Sequence, residues 1–220
     1  MRPKPVAKPV QAHGRPAYGP FAEDVGELVR MRYTKLVVHK AGMLPGDRVL
    51  DAGTGRGLLA NAVARSFGKC TAVGIDLDAA HLRDARLNAR LEGVAERVQF
   101  VRASADALPF KEGTFSVFVA GLAFTGTRDI RPVADEADRV LVPMSKVVIV
   151  DAARPKGPDP LSDANAERWK RLGFGRVSVQ KVTVLSDGRT LKALFARKLA
   201  GDEDEEGGDE GKGGASDGES

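Results

Sequence analysis

Residues 49–57 read Val49-Leu50-Asp51-Ala52-Gly53-Thr54-Gly55-Arg56-Gly57, and Leu58-Leu59-Ala60-Asn61-Ala62-Val63-Ala64 follow at once. The segment reads as a buried strand, a glycine-rich turn and a helix. Glycine at alternate positions lets the turn take backbone conformations that a Cβ would forbid, and leaves peptide N–H groups bare to a ligand. The helix behind it adds its unpaired first-turn N–H groups and the positive end of its dipole. Such a unit belongs to an open α/β sheet and receives a nucleotide-like ligand at the carboxyl edge of the strand. Asp51 closes the strand just before the glycines, where a carboxylate can accept hydrogen bonds from that ligand. The dinucleotide fingerprint is G-x-G-x-x-G, whereas this turn is G-x-G-x-G with an acid two residues earlier.

The rest of the chain alternates strands and helices. Spacing near 3.6 predicts a helix from about Glu23 to Ala41, stopped at Gly42-Met43-Leu44-Pro45-Gly46. After the helix over 58–67, Cys70–Asp76 is a second buried strand and 79–92 a helix with Asp78 as its cap. Val98–Ala103 is a third strand, leading into Ser104-Ala105-Asp106-Ala107-Leu108-Pro109-Phe110. Phe115–Gly121 is the fourth, followed by a helix over 129–141 that Pro143 is expected to stop. Lys146–Asp151 is the fifth, and 161–172 a helix ended by Gly173-Phe174-Gly175. Val177–Leu185 and Leu191–Arg197 flank Asp187-Gly188 as a hairpin.

Composition bounds the possibilities. A chain of 220 residues with 42% hydrophobic and 29% charged residues suits one domain with tails. No apolar run approaches the ~20 residues of a membrane span, and the N-terminus lacks the apolar core of a signal peptide. A cytoplasmic location is expected. Cys70 is the single cysteine, which excludes an internal disulfide and a cysteine-rich metal site, and no metal is expected. Five prolines punctuate residues 1–20, a flexible basic arm. Residues 201–220 hold nine acids against Lys212, a disordered, glycine-rich tail of net −8. The remaining body is therefore net +12, which admits an anionic partner such as RNA. The domain between the tails is placed at 21–200.

Asp51-x-Gly53-x-Gly55-x-Gly57, Asp76 at the second strand end, Asp106 before Leu108-Pro109-Phe110, and the terminal hairpin together resemble a known set of signatures. In this order they are those of the class I S-adenosylmethionine (SAM)-dependent methyltransferases, and among them of the small ubiquinone/menaquinone biosynthesis type. The resemblance covers residues 45–198 well and 21–44 loosely. It implies an α/β, Rossmann-like fold with a seven-stranded, mostly parallel sheet of order 3-2-1-4-5-7-6, strand 7 antiparallel, and helices on both faces. It implies SAM as cofactor, held by Asp51, Gly53, Thr54, Gly55 and Gly57 in the turn and by Asp76 and Leu77 after the second strand. Asp106 and Ala107 after the third strand, and Gly121 and Leu122 at the end of the fourth, complete the set. Asp76, 19 residues beyond Gly57, is placed to accept the ribose hydroxyls. The resemblance assigns Asp106 to the adenine amino group.

The acceptor is less constrained. Gly121-Leu122-Ala123-Phe124 stands where amino-methylating enzymes on nucleobases carry Asp/Asn-Pro-Pro-Tyr, which disfavours an exocyclic amine. A small molecule is expected, with RNA the competing acceptor. Tyr18, Phe124 and Arg154 are candidates for the acceptor pocket, and no catalytic residue is assigned. His13, His39 and His81 read as structural or solvent-exposed. Two other functions compete. An NAD(P)-dependent oxidoreductase is opposed by the glycine spacing and the terminal hairpin. A non-catalytic SAM-fold module binding RNA or protein is opposed by the intact Asp51, Asp76 and Asp106.

Overall fold

The structure is a computed structural model that describes residues 27–153, 157–185 and 188–200. The proline-rich arm, His13, Tyr18, Arg154 and the acidic tail lie outside the described residues. The chain runs α1 (Glu27–Lys40), β1 (Arg48–Ala52), α2 (Leu58–Ser66), β2 (Thr71–Asp76), α3 (Ala79–Leu91) and β3 (Val98–Arg102). It continues through β4 (Phe115–Gly121), α4 (Arg131–Val140), β5 (Leu141–Ala153), α5 (Asp163–Arg171), β6 (Phe174–Val184) and β7 (Thr190–Lys198).

The strands form one seven-stranded sheet of order β3-β2-β1-β4-β5-β7-β6. Pairing is parallel from β3 through β5 and antiparallel where β7 meets β5 and β6. This is the expected order and reversal. The reason lies in the strand sequences. The central strands are apolar on both faces, the pattern of a sheet covered on both sides. Val49, Val117, Val119, Val148 and Val150 pack under α1, α2 and α3. Leu50, Phe118 and Ile149 alternate with them and pack under α4 and α5. Trp169 of α5 is fully buried there, its ring 5.1 Å from Phe174 in an edge-on arrangement.

Two boundaries differ from the sequence expectation. α4 ends at Val140 and passes straight into β5, so Pro143 lies within the strand rather than after a helix stop. The β4–β5 register shifts between Phe115 and Val117, and Met144 has φ 62°. A bulged strand start tolerates the missing proline N–H. β6 begins at Phe174, inside the stretch expected to end α5, and its register shifts between Gly175 and Ser178. Among the described residues no helix is long and apolar enough to cross a membrane.

α1 reaches the carboxyl edge through Tyr33, which is buried against the end of β4. A Cβ at Gly121 would stand 2.4 Å from Tyr33 Cε2, so this contact exists only because residue 121 has no side chain. Gly121→Ala should therefore cost about 1–3 kcal/mol of stability by overpacking. In a Tyr33→Ala background the same change should be close to neutral, because the clashing ring is gone. A double-mutant cycle by urea denaturation checks this; equal costs in both backgrounds would contradict the contact.

Candidate functional site

Parallel pairing brings the carboxyl ends of β1 to β5 to one edge, and the loops that leave them carry the site. After β1 the chain turns through Gly53 (φ 72°) and Gly55 (φ 53°), both in the left-handed region. A Cβ at Gly53 would stand 2.4 Å from the Cβ of Ala123, in the loop after β4. A Cβ at Gly55 would meet nothing within 4 Å, so here the bare backbone borders open space.

Asp51 points to the α2 side, on the same face as Val49. It is 1% exposed. Its Oδ2 accepts from Thr54 Oγ1 at 2.6 Å and from the Ala60 amide at 3.1 Å. Ala60 lies in the first turn of α2, whose amides have no partner within the helix. Asp51 thus caps α2 from the neighbouring strand and fixes the turn between them. Burial pushes its carboxyl from an ordinary 3.8 up to about 7. The Thr54 and Ala60 hydrogen bonds pull the other way, and the Asp76 charge adds to the rise.

Asp76 closes β2 across from the glycine turn. Its Oδ2 accepts the Gly55 amide at 2.9 Å and its Oδ1 the Asp78 amide at 2.9 Å. The side chain keeps 17% exposure, so lone pairs remain open at the edge. His81 Nδ1 stands 3.8 Å from Asp76 Oδ1, closer to the site than its sequence position alone indicates. Asp78 takes the capping role expected of it and accepts the Ala80 amide at 2.7 Å. The Leu77 carbonyl accepts from Arg102 Nε at 2.9 Å.

Asp106 is exposed on the turn after β3, accepts from the Ser104 hydroxyl, and is followed by exposed Ala107. This turn is held from α4 by a pair the sequence did not single out. Glu136 Oε2 accepts the Leu108 amide at 2.6 Å, while Arg139 donates to the Phe110 carbonyl at 2.7 Å and the Leu108 carbonyl at 3.0 Å. Glu136 and Arg139 are themselves joined by two hydrogen bonds, 2.8 and 2.7 Å long. Those bonds hold the Glu136 carboxyl below its ordinary range, against a smaller opposing effect of burial. An i,i+3 Glu–Arg pair was visible in the sequence, but nothing there tied it to residues nearly thirty positions earlier.

The loop after β4 starts at Gly121 and at Leu122, which has φ 57° without being glycine, a strained conformation. Phe124 is 1% exposed and faces the α4–α5 side. Its amide donates to Asp151 Oδ2 at 2.7 Å. Farther along, Asn165 Nδ2 donates to the Arg128 carbonyl and the Pro160 carbonyl, each at 3.1 Å. The structure therefore brings the glycine turn, Asp76, Leu77, Asp106, Ala107, Gly121, Leu122 and Phe124 to one edge. Among the described residues no group of three or more His, Cys, Asp or Glu is placed to hold a metal ion.

Asp51 makes a pH dependence readable. A carboxyl whose folded pKa lies above its unfolded value binds a proton in the folded chain that the unfolded chain has lost. Stability therefore falls as pH rises from about 4 through about 7. The full span corresponds to roughly 4 kcal/mol. Asp51→Asn removes this cost, so the variant should gain on the parent as pH rises. Urea titrations of both at pH 5 and pH 8 check it; a stability difference independent of pH would contradict the burial.

Comparison with known proteins agrees with this geometry. The family described as "Methyltransferase domain" matches residues 49–144. The ribosomal protein L11 methyltransferase of Thermus thermophilus is 34% identical over 168 residues, covering 71% of this chain and 61% of that protein. A ubiquinone/menaquinone biosynthesis C-methyltransferase of Shewanella halifaxensis is 26% identical over 129 residues, 58% of this chain and 51% of that protein. The chain thus spans 51% to 61% of the length of these curated relatives. A geranyl diphosphate methyltransferase solved in complex with SAM shares the fold, with TM-score 0.63 and 20% identity over 81% of this chain and 90% of that one. The matched segment carries the glycine turn and the sheet takes the order above, so in both sequence and fold the chain is similar to the class I SAM-dependent methyltransferases.

Proposed function

We propose that the chain binds SAM at the carboxyl edge of β1, β2 and β3 and transfers its methyl group to an acceptor presented by the loop after β4. The observation that carries this reading is Asp76. It holds the Gly55 amide across the open glycine turn and keeps lone pairs exposed beside it. Residues with a Cβ at position 55 would fill the space that the cofactor needs.

When bound, SAM supplies a methyl group on a sulfonium, an electrophile with a good leaving group already in place. The chain then has to orient and to exclude water. The α2 dipole faces the polar end of the ligand, while the Thr54, Gly55 and Gly57 amides are bonded within the protein and hold the turn's shape. Asp76 accepts the ribose hydroxyls, and Asp106 accepts the adenine amino group, with Leu77 and Ala107 beside them. Gly121 at the end of β4, the strand between β1 and β5, and Leu122 in the loop beyond it complete the cofactor side. Asp51 holds the turn from beneath. We favour a small-molecule acceptor. The quinone-biosynthesis name of one relative supports this. RNA is the competing acceptor, supported by the basic body.

Calorimetry should show SAM binding with micromolar affinity, about −8 kcal/mol, and no comparable binding of NAD. Asp76→Ala removes charge-assisted hydrogen bonds, each contributing roughly 1.5–3 kcal/mol, and should lower SAM affinity by one to several decades. Asp78→Ala should lower stability slightly through the lost α3 cap and leave SAM affinity within a few-fold. Equal losses at both positions would refute the role of Asp76. Labelled SAM incubated with fractionated cell extract then identifies the acceptor by the fraction that takes the label.

A further inference from the structure

Two carboxylates are buried among the described residues, Asp51 and Asp151. They flank β4, one at the end of β1 and one near the end of β5. Strand alternation turns them to opposite faces of the sheet, Asp51 toward α2 and Asp151 toward α4 and α5. Burying a carboxylate without a cation costs several kcal/mol unless donors surround it. Asp151 is surrounded: Oδ2 accepts the Phe124 amide at 2.7 Å, and Oδ1 accepts the Thr125 hydroxyl at 2.5 Å and the Ala152 amide at 2.7 Å. Burial pushes its carboxyl up to about 6, with the Thr125, Phe124 and Ala152 hydrogen bonds opposing and the Asp159 charge adding to the rise.

Asp51 has a similar grip, one hydroxyl from the glycine turn and one amide from α2. The grip of Asp151 falls on the loop after β4. That loop is pinned again at its far end, where Asn165 receives the Ile130 amide at 3.4 Å. Its Ala123 lies against Gly53, so its position is registered to the turn after β1. Nothing in the packing of β5 asks for an acid, since Val147 and Ile149 on the same face are apolar.

We propose that Asp151 is a positioning residue for methyl transfer: by holding Phe124 and Thr125 it fixes the loop that aligns the acceptor with the methyl group. The role rests on the methyltransferase reading above. In-line displacement is sensitive to alignment, and a 1 Å misplacement costs about 100-fold in rate.

The test measures label transfer from tritiated SAM to the extract fraction that the unaltered protein methylates, alongside SAM affinity by calorimetry. Asp151→Ala should slow transfer at saturating SAM by about 100-fold while SAM affinity stays within about twofold. Asp151→Asn should recover part of the rate, because its amide oxygen still accepts the Phe124 N–H, while its NH2 group can face the Thr125 oxygen but leaves the Ala152 N–H without an acceptor. Thr125→Val, which folds without a buried carboxylate losing its site, should be slowed to an intermediate extent. Parent-like transfer by both Asp151→Ala and Thr125→Val would overturn the proposal. So would a parallel fall of SAM affinity and transfer across the three variants, which would mark Asp151 as a general structural residue. If the unaltered protein binds SAM but labels no fraction, the methyltransferase function fails and this role with it. If only the variants behave unexpectedly, the role alone fails.

Discussion

The hydrogen bonds that converge on Asp51 Oδ2 join three elements that would otherwise have to be positioned separately. The carboxylate belongs to β1, the Thr54 hydroxyl to the turn, and the Ala60 amide to the first turn of α2. A glycine turn is conformationally permissive, and permissiveness by itself is a source of disorder. One acceptor at the strand end converts it into a single shape. The burial that makes this possible also raises the carboxyl toward neutrality, so the anchor works at the expense of some stability at high pH. Such a compromise is common at functional edges, where perturbed ionisation accompanies fixed geometry.

Most of the fold was legible because each strand–turn–helix unit carries its own local signals. The glycine turn, the strand-ending acids and the Asp78 cap all act over a few residues, and all appear where the spacing puts them. The seven-stranded order came from the resemblance rather than from periodicity, since pairing partners are not written locally. The errors fall where tertiary packing overrides a breaker. Pro143 reads as a helix stop, yet the chain enters β5 two residues before it, because a bulge supplies a position where no N–H is needed. The glycine turn and Asp76, which the structure brings together, follow from the same local signals. The supports of the site were not legible: Glu136 and Arg139 grip residues 108 and 110 from another helix, and Tyr33 reaches Gly121 from α1. Asp151 reads as an ordinary strand-end acid until its partners in the preceding loop are known.

The acceptor side stands apart for a chemical reason. A cofactor common to a family needs the same acceptors and bare amides everywhere, so its residues form a pattern. An acceptor differs between members, and one relative of this chain is named for a ribosomal protein while another is named for quinone biosynthesis. Fold therefore constrains the donor of the methyl group far more than its recipient.

The strand order also divides the molecule by distance along the chain. β1 pairs with β2 across a short crossover, Val49 opposite Ala72, and every contact of the glycine turn with Asp76 lies within that local unit. β4 must return from much farther, and the Arg48 amide reaches the Ser116 hydroxyl over a separation of 68 residues. Closing the longer loop costs about 1 kcal/mol more than closing the shorter one. The glycine turn and Asp76 are thus joined within one chain-local unit, whereas Ala123 comes to Gly53 from the loop after β4. The loop after β4 takes its place beside that turn only once distant segments have met, and contact order weighs on that step.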